Sequence, residues 1–142
     1  MICASEDVGM ANPSALQIAV AAAQAVHMIG MPEARIILSQ AAIAVAVSPK
    51  SNASYVAIDK ATEDIMNKDT GEVPMHLRNA PIEGMTGLGY GVGYKYAHSY
   101  EGNYVEQDYL PKQLKDTVYY EPSQNGNERK IKEYMESRKK KK

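Results

Sequence analysis

Four features of this 142-residue chain carry residue types that could do chemistry. They are a run of glycines, three histidines with one cysteine, a concentration of tyrosines, and a basic tail. The glycine run, Gly87-Leu88-Gly89-Tyr90-Gly91-Val92-Gly93, has the composition of a phosphate-cradling loop but not its spacing. Neither G-x-G-x-x-G nor G-x-x-x-x-G-K-[ST] can be laid on it, and no strand pattern leads into it. A phosphate loop also needs a helix N-terminus after it, to aim backbone N–H groups at the anion. The glycines are therefore read as relief of backbone constraint. The only Lys-Ser pair, Lys50-Ser51, follows a proline with no glycine loop before it.

His27, His76 and His98 are far apart and lack metal-ligand spacing, so no metal site is expected. Cys3 has no neighbouring base to activate it as a nucleophile. Six tyrosines between Tyr90 and Tyr109 resemble a stacking platform for single-stranded nucleic acid. Such platforms sit in basic grooves, however, and here Lys95 faces Glu101, Glu106 and Asp108. The tyrosines are accordingly expected to lay their rings on a core, with hydroxyls to water or backbone. From Glu128 to Lys142 there are eight basic and three acidic residues, so Arg138, Lys139, Lys140, Lys141 and Lys142 are the candidate DNA contacts.

The elements that must position these residues follow from start and stop signals. Asn12-Pro13 reads as an N-cap followed by proline in a first turn, and Gly30 closes the run that follows. Met31-Pro32-Glu33 starts a second helix to about Val47, and Ser48-Pro49 repeats the signal for a third, ending at Gly71. The first two helices are apolar nearly all round, which implies burial on most faces. A small bundle has little room to enclose both, so a subunit interface is expected, with Ala22, Val26, Ile36 and Ala42 as candidates. Beyond residue 71 lies an irregular Gly/Tyr-rich segment, then a last helix from about Asn127 into Arg138 and a basic tail at 139–142. The fold class expected is all-α, as a single domain over 1–142 with its core helices at about 13–70.

Composition agrees with a soluble domain: 44% hydrophobic residues and a net charge of -1. One cysteine permits no internal disulfide and fits a reducing compartment. No basic, apolar leader pattern opens the chain, and the longest apolar stretch is too short for a bilayer. Cytoplasmic location is the expectation, with no membrane partner.

Several segments, taken in order, resemble one known family. Ser5 to Pro13 is similar to its "SEDIGLADP" segment and Ile29 to Arg35 to its "IGMPEAR". Pro49-Lys50-Ser51-Asn52-Ala53 resembles "PKSNA", and Pro74 to Pro81 resembles "PLHLRNAP". Leu88 to His98 is similar to "LGYGKGYKYAH", with Val92 where a basic residue is usual. Tyr109-Leu110-Pro111 and Tyr119-Tyr120-Glu121-Pro122 complete the series. The family is RarA, also called MgsA, whose eukaryotic relative is the Werner-helicase-interacting ATPase.

That resemblance implies a clamp-loader-like protein: an AAA+ ATPase module followed by a helical C-terminal region through which subunits assemble as tetramers. It implies action at stalled replication forks, DNA as a partner of the parent protein, and fork proteins as further partners. Walker A, Walker B and arginine-finger elements are absent from this sequence. No catalytic residue can therefore be assigned, no cofactor is expected on this segment, and ATP and Mg belong to the AAA+ module. The opening Met1-Ile2-Cys3 reads as starting mid-pattern, as a fragment would. The polar residues inside the matching segments are Lys50, Ser51, Asn52, His76, Arg78 and Asn79. Their expected role is to hydrogen-bond and cap helix junctions, the sharper alternative being contact with the ATPase module or DNA. The function expected is assembly without catalysis. The alternative is a DNA-binding module acting through the basic tail or the Tyr-rich segment.

Overall fold

A computed structural model describes residues 1–82 and 84–139. Among the described residues there is no strand, and four α-helices carry the fold: α1 Ser14–Ile29, α2 Ala34–Ala46, α3 Ala53–Asn67 and α4 Glu128–Lys139. The all-helical expectation is met. No helix among the described residues is long and apolar enough to cross a membrane.

The chain groups into two compact units, Met1–Thr62 with Val118–Lys142, and Glu63–Thr117. The first unit is organised by helices. Its core is small-residue packing: Ala4, Val8 and Ala15 are buried, with Ala19 and Val45 packed against them. Ala4–Val8 forms a short wide helical turn ahead of α1, in a segment the sequence left unassigned. α1 ends where Gly30 takes a positive φ of 76° and donates its N–H to the Val26 carbonyl at 2.9 Å. A side chain is disfavoured in that conformation, which is why glycine stops the helix there.

Two start signals work differently from the expectation. Asn12 makes no side-chain cap; its Nδ2 donates instead to Ser48 Oγ at 2.9 Å. Ser48 in turn donates to the Ala44 carbonyl at 2.6 Å, so it closes α2 rather than opening α3. The opening of α3 falls to Ser51, whose Oγ accepts the Ala53 N–H at 3.2 Å.

Residues 118–139 return to the first unit and are pinned to it. Asn127 N donates to the Ala11 carbonyl at 2.8 Å, and Asn125 Nδ2 to the Lys50 carbonyl at 2.8 Å. Gly126 sits between these contacts at φ 50°, and a Cβ there would collide with the Ala11 carbonyl and the Pro49 ring. Only glycine allows so close an approach. Lys60 and Glu121 add an exposed ion pair at 3.0 Å, of small energetic weight.

The second unit is a chain of short turns rather than long helices: Met75–Leu77, Thr86–Leu88, Ala97–Ser99, Glu101–Asn103 and Lys112–Leu114. Its buried apolar residues are Val105 and Leu114. With so little apolar surface to lie on, Tyr94, Tyr96, Tyr100, Tyr104 and Tyr109 stand exposed. This corrects the expectation that their rings pack on a core.

Candidate self-association face

Residues Pro13 to Pro32 contain no Asp, Glu, Lys or Arg, and α2 contains only Arg35. An uncharged helix should be covered on most sides. In this chain it is not. α1 buries Ala15 and Ala22, and α2 buries Ala34. The opposite side of α2 presents Ile36 (60% exposed), Ile43 (59%) and Val47 (76%). These positions are seven and four residues apart, so they share one face of the helix, with Ser39 and Gln40 between them. On α1, Leu16, Val20 and Met28 are exposed, accompanied by Gln17, Gln24 and His27.

The arrangement is an apolar row interrupted only by uncharged polar groups. Single exposed apolar residues are ordinary, but an uncharged apolar row along one helix face, as on the side of α2 away from α1, is a candidate interaction surface. The amide and hydroxyl groups along it can exchange hydrogen bonds across a symmetric contact without burying a formal charge.

Of the interface candidates read from the sequence, the structure separates one. Ala22 is 7% exposed and sits at the α1–α2 seam beside Ile37 and Ala41. Its own chain already covers it, because close approach of the two helices uses that alanine. Val26 is half-buried and Ile36 faces outward, while Ala42 is exposed in a groove shared with Ala19, Ala22 and Ala23 of α1. Periodicity alone could not tell the intramolecular seam from the outer face, since both are built from Ala and Ile.

The polar motif residues mostly secure local structure. Lys50 Nζ donates to the Val45 carbonyl at 2.8 Å, satisfying a group at the end of α2. Ser51 is buried, and its N–H donates to the Asp7 carbonyl at 2.8 Å. The Asn52 carbonyl accepts the Val56 N–H at 2.9 Å at the start of α3. In the second unit, Arg78 donates to the Val73 carbonyl and to Glu72 Oε2, both at 2.6 Å, and its guanidinium lies over the Tyr90 ring at 5.6 Å. The ion pair with Glu72 raises the Arg78 pKa, with help from the Tyr90 hydroxyl. Asn79 is exposed. His76 is half-buried and lines a cleft of about 560 Å³ together with Val73, Pro74, Met75 and Leu110. The Lys50–Asn52 and His76–Asn79 groups lie in different units. Among the described residues no cluster of His, Cys, Asp and Glu could hold a metal ion.

One polar centre escaped the sequence reading. Glu128, at the start of α4, is fully buried. Its carboxylate accepts from the Tyr120 hydroxyl at 2.9 Å and from the Ser123 N–H at 2.8 Å. Burial by itself would push its pKa up, but hydrogen bonds from the Ser123 and Ser51 side chains, the Ser123 backbone and Tyr120 outweigh it and hold the carboxyl below its ordinary value. Tyr120 is pushed up to about 12, by burial first and by Glu128 second. The available signal was weak: an acid in a first helical turn is common for dipole reasons alone. Of the candidate DNA contacts, Arg138 is described and half-buried, while Lys140, Lys141, Lys142 and the Lys139 side chain lie outside the described residues.

Comparison with known proteins gives one family. The family described as MgsA AAA+ ATPase C terminal matches residues 1–139. An AAA domain-containing protein of Mycobacterium tuberculosis is 51% identical over 131 residues, 92% of this chain and 29% of that protein. Replication-associated recombination protein A of Bacillus subtilis is 45% identical over 126 residues, 89% of this chain and 30% of that protein. The protein of the same name from Haemophilus influenzae is 45% identical over 134 residues, 94% and 30% respectively. The chain thus spans about 30% of the length of the curated relatives it matches.

Proposed function

Since the chain belongs to the MgsA AAA+ ATPase C-terminal family, we propose that it is the segment through which an AAA+ ATPase of replication-associated recombination assembles with copies of itself. The observation that carries this reading is the outward row of Ile36, Ile43 and Val47 on the side of α2 away from α1. Its expected form is a cytoplasmic homotetramer, with DNA and fork proteins engaged by the whole protein. Catalysis, ATP and Mg then belong to the AAA+ module. The test is the absolute mass of the purified chain by light scattering across a concentration series. A value near four times the 15.6 kDa monomer is expected. A chain that stays monomeric at high micromolar concentration would sink the proposal.

The same reading makes a second prediction. Calorimetric titration of this chain with Mg-ATP should give no saturable heat, because the glycine run lacks phosphate-loop spacing. Micromolar binding would overturn the assignment of nucleotide chemistry to the AAA+ module.

A further inference from the structure

We infer that Asn125-Gly126 is a deamidation site, at which loss of the Asn125 amide unpins residues 118–139 from the rest of the first unit. This is the one place in the sequence where asparagine precedes glycine; every other asparagine is followed by proline or by a residue with a Cβ. A glycine neighbour leaves its backbone nitrogen unobstructed and able to swing toward the asparagine side chain. Both residues are exposed, so water and hydroxide reach them. Among the described residues the Gly126 N–H has no hydrogen-bond partner, so the attacking nitrogen is not committed elsewhere.

The chemistry needs only water. Hydroxide takes the Gly126 N–H proton, and the nitrogen attacks Asn125 Cγ to close a five-membered succinimide ring. The bond from Cγ to the side-chain nitrogen breaks, and that nitrogen leaves as ammonia. Water then adds to either ring carbonyl. Opening at Cγ gives aspartate, and opening at the former main-chain carbonyl gives isoaspartate, in which the chain runs through Cβ. No oxidation or reduction occurs, and the balance is amide plus water to acid plus ammonia.

The atom that leaves is the one that makes the contact. Asn125 Nδ2 donates to the Lys50 carbonyl at 2.8 Å, and a single surface hydrogen bond opens often enough to free the carboxamide for attack. After conversion a carboxylate oxygen faces that carbonyl, two acceptors with no proton between them. Isoaspartate also lengthens the backbone by one carbon just before Gly126. There even a Cβ would meet the Ala11 carbonyl and the Pro49 ring. The neighbouring pin, from Asn127 N to the Ala11 carbonyl at 2.8 Å, lies two residues further on and is strained by either product. Because ammonia is lost, the pin cannot close again. The site is a one-way latch.

The test incubates the full chain at mildly alkaline pH and maps it by mass spectrometry, with isoaspartyl methylation marking the isoaspartate product. Asn125 should convert ahead of every other asparagine, and faster as the pH rises. Asn125→Gln should abolish the conversion, since its longer side chain must close a larger ring. The converted chain separates by its extra negative charge and should retain its helical circular dichroism. Its Asn127 amide should exchange hydrogen about tenfold faster than in the unconverted chain, and Asn125→Asp should do the same. Conversion of Asn125 in urea but not in buffer would overturn the inference, because the fold would then protect the site. So would a converted chain whose Asn127 amide exchanges as in the unconverted one. None of these outcomes bears on the mass of the assembly, so this inference and the proposed function fail separately.

Discussion

Replacing Ile43 with glutamate should drop the assembly to a smaller species while the helical signal of the chain persists. Ile43 points away from the α1–α2 seam, so a charge there leaves the monomer's own packing intact. At a self-association contact the carboxylate would be buried without a partner, twice in a two-fold symmetric interface. One such unpaired charge costs about 3–5 kcal/mol, or roughly 100-fold or more in the dissociation constant. Val47→Asp should act likewise. Ala22→Glu is the contrasting variant: that residue lies inside the seam, so cooperative unfolding itself should be lost. Light scattering reads the mass and circular dichroism the helix content. If Ile43→Glu keeps the wild-type mass, the outward row is not the contact.

Glu128→Ala should strongly destabilise the first unit without abolishing its fold. It leaves the Tyr120 hydroxyl, the Ser123 N–H and the buried Ser51 hydroxyl without their acceptor, and it opens a cavity in place of a fully buried side chain. An unsatisfied buried group costs about 1–3 kcal/mol, so a loss of roughly 3–5 kcal/mol is expected. Tyr120→Phe removes one donor and should cost only about 1 kcal/mol. The pH dependence has a definite sign. The folded carboxyl titrates below the unfolded one, so its contribution is complete above about pH 4.3 and fades as the pH falls through the folded value. Denaturant unfolding at pH 7 and pH 3 should therefore show a smaller gap between wild type and Glu128→Ala in acid. An equal gap at both pH values would mean that Glu128 acts through packing alone.

The legible parts of this fold are those written in local chemistry. Pro13 and Gly30 bracket α1, Pro32 precedes α2, and the last helix read from about Asn127 into Arg138 is α4, all within a residue or two of where the helices stand. The parts written in long-range pairing were not legible. Asn12 is a good cap in isolation, yet it spends its amide on Ser48, thirty-six residues away. Asn125 meets Lys50 across seventy-five residues, and no periodicity encodes that. The outer face of α2 was legible as apolar but not as outer. The seam and the row differ only in which side meets α1, and a pattern of Ala and Ile has no mark for that. The tyrosines were misplaced because ring burial depends on how much core there is to lie on. The second unit, with Val105 and Leu114 as its buried apolar residues, offers little.

The return of residues 118–139 to the first unit bears on how the chain is made. Ala11 gains its partner Asn127 only after 116 further residues have left the ribosome. At about 5–20 residues per second that wait is roughly 6–23 s. Throughout it, α1 and α2 have been synthesised with their apolar row uncovered, while Ser51 and Lys50 lack the groups that will satisfy them. The nascent chain thus carries its stickiest surface long before the segment that stabilises it arrives. Slow elongation across residues 63–117 should therefore lower the soluble yield, and a chain stalled before Gly126 is a natural client for chaperones.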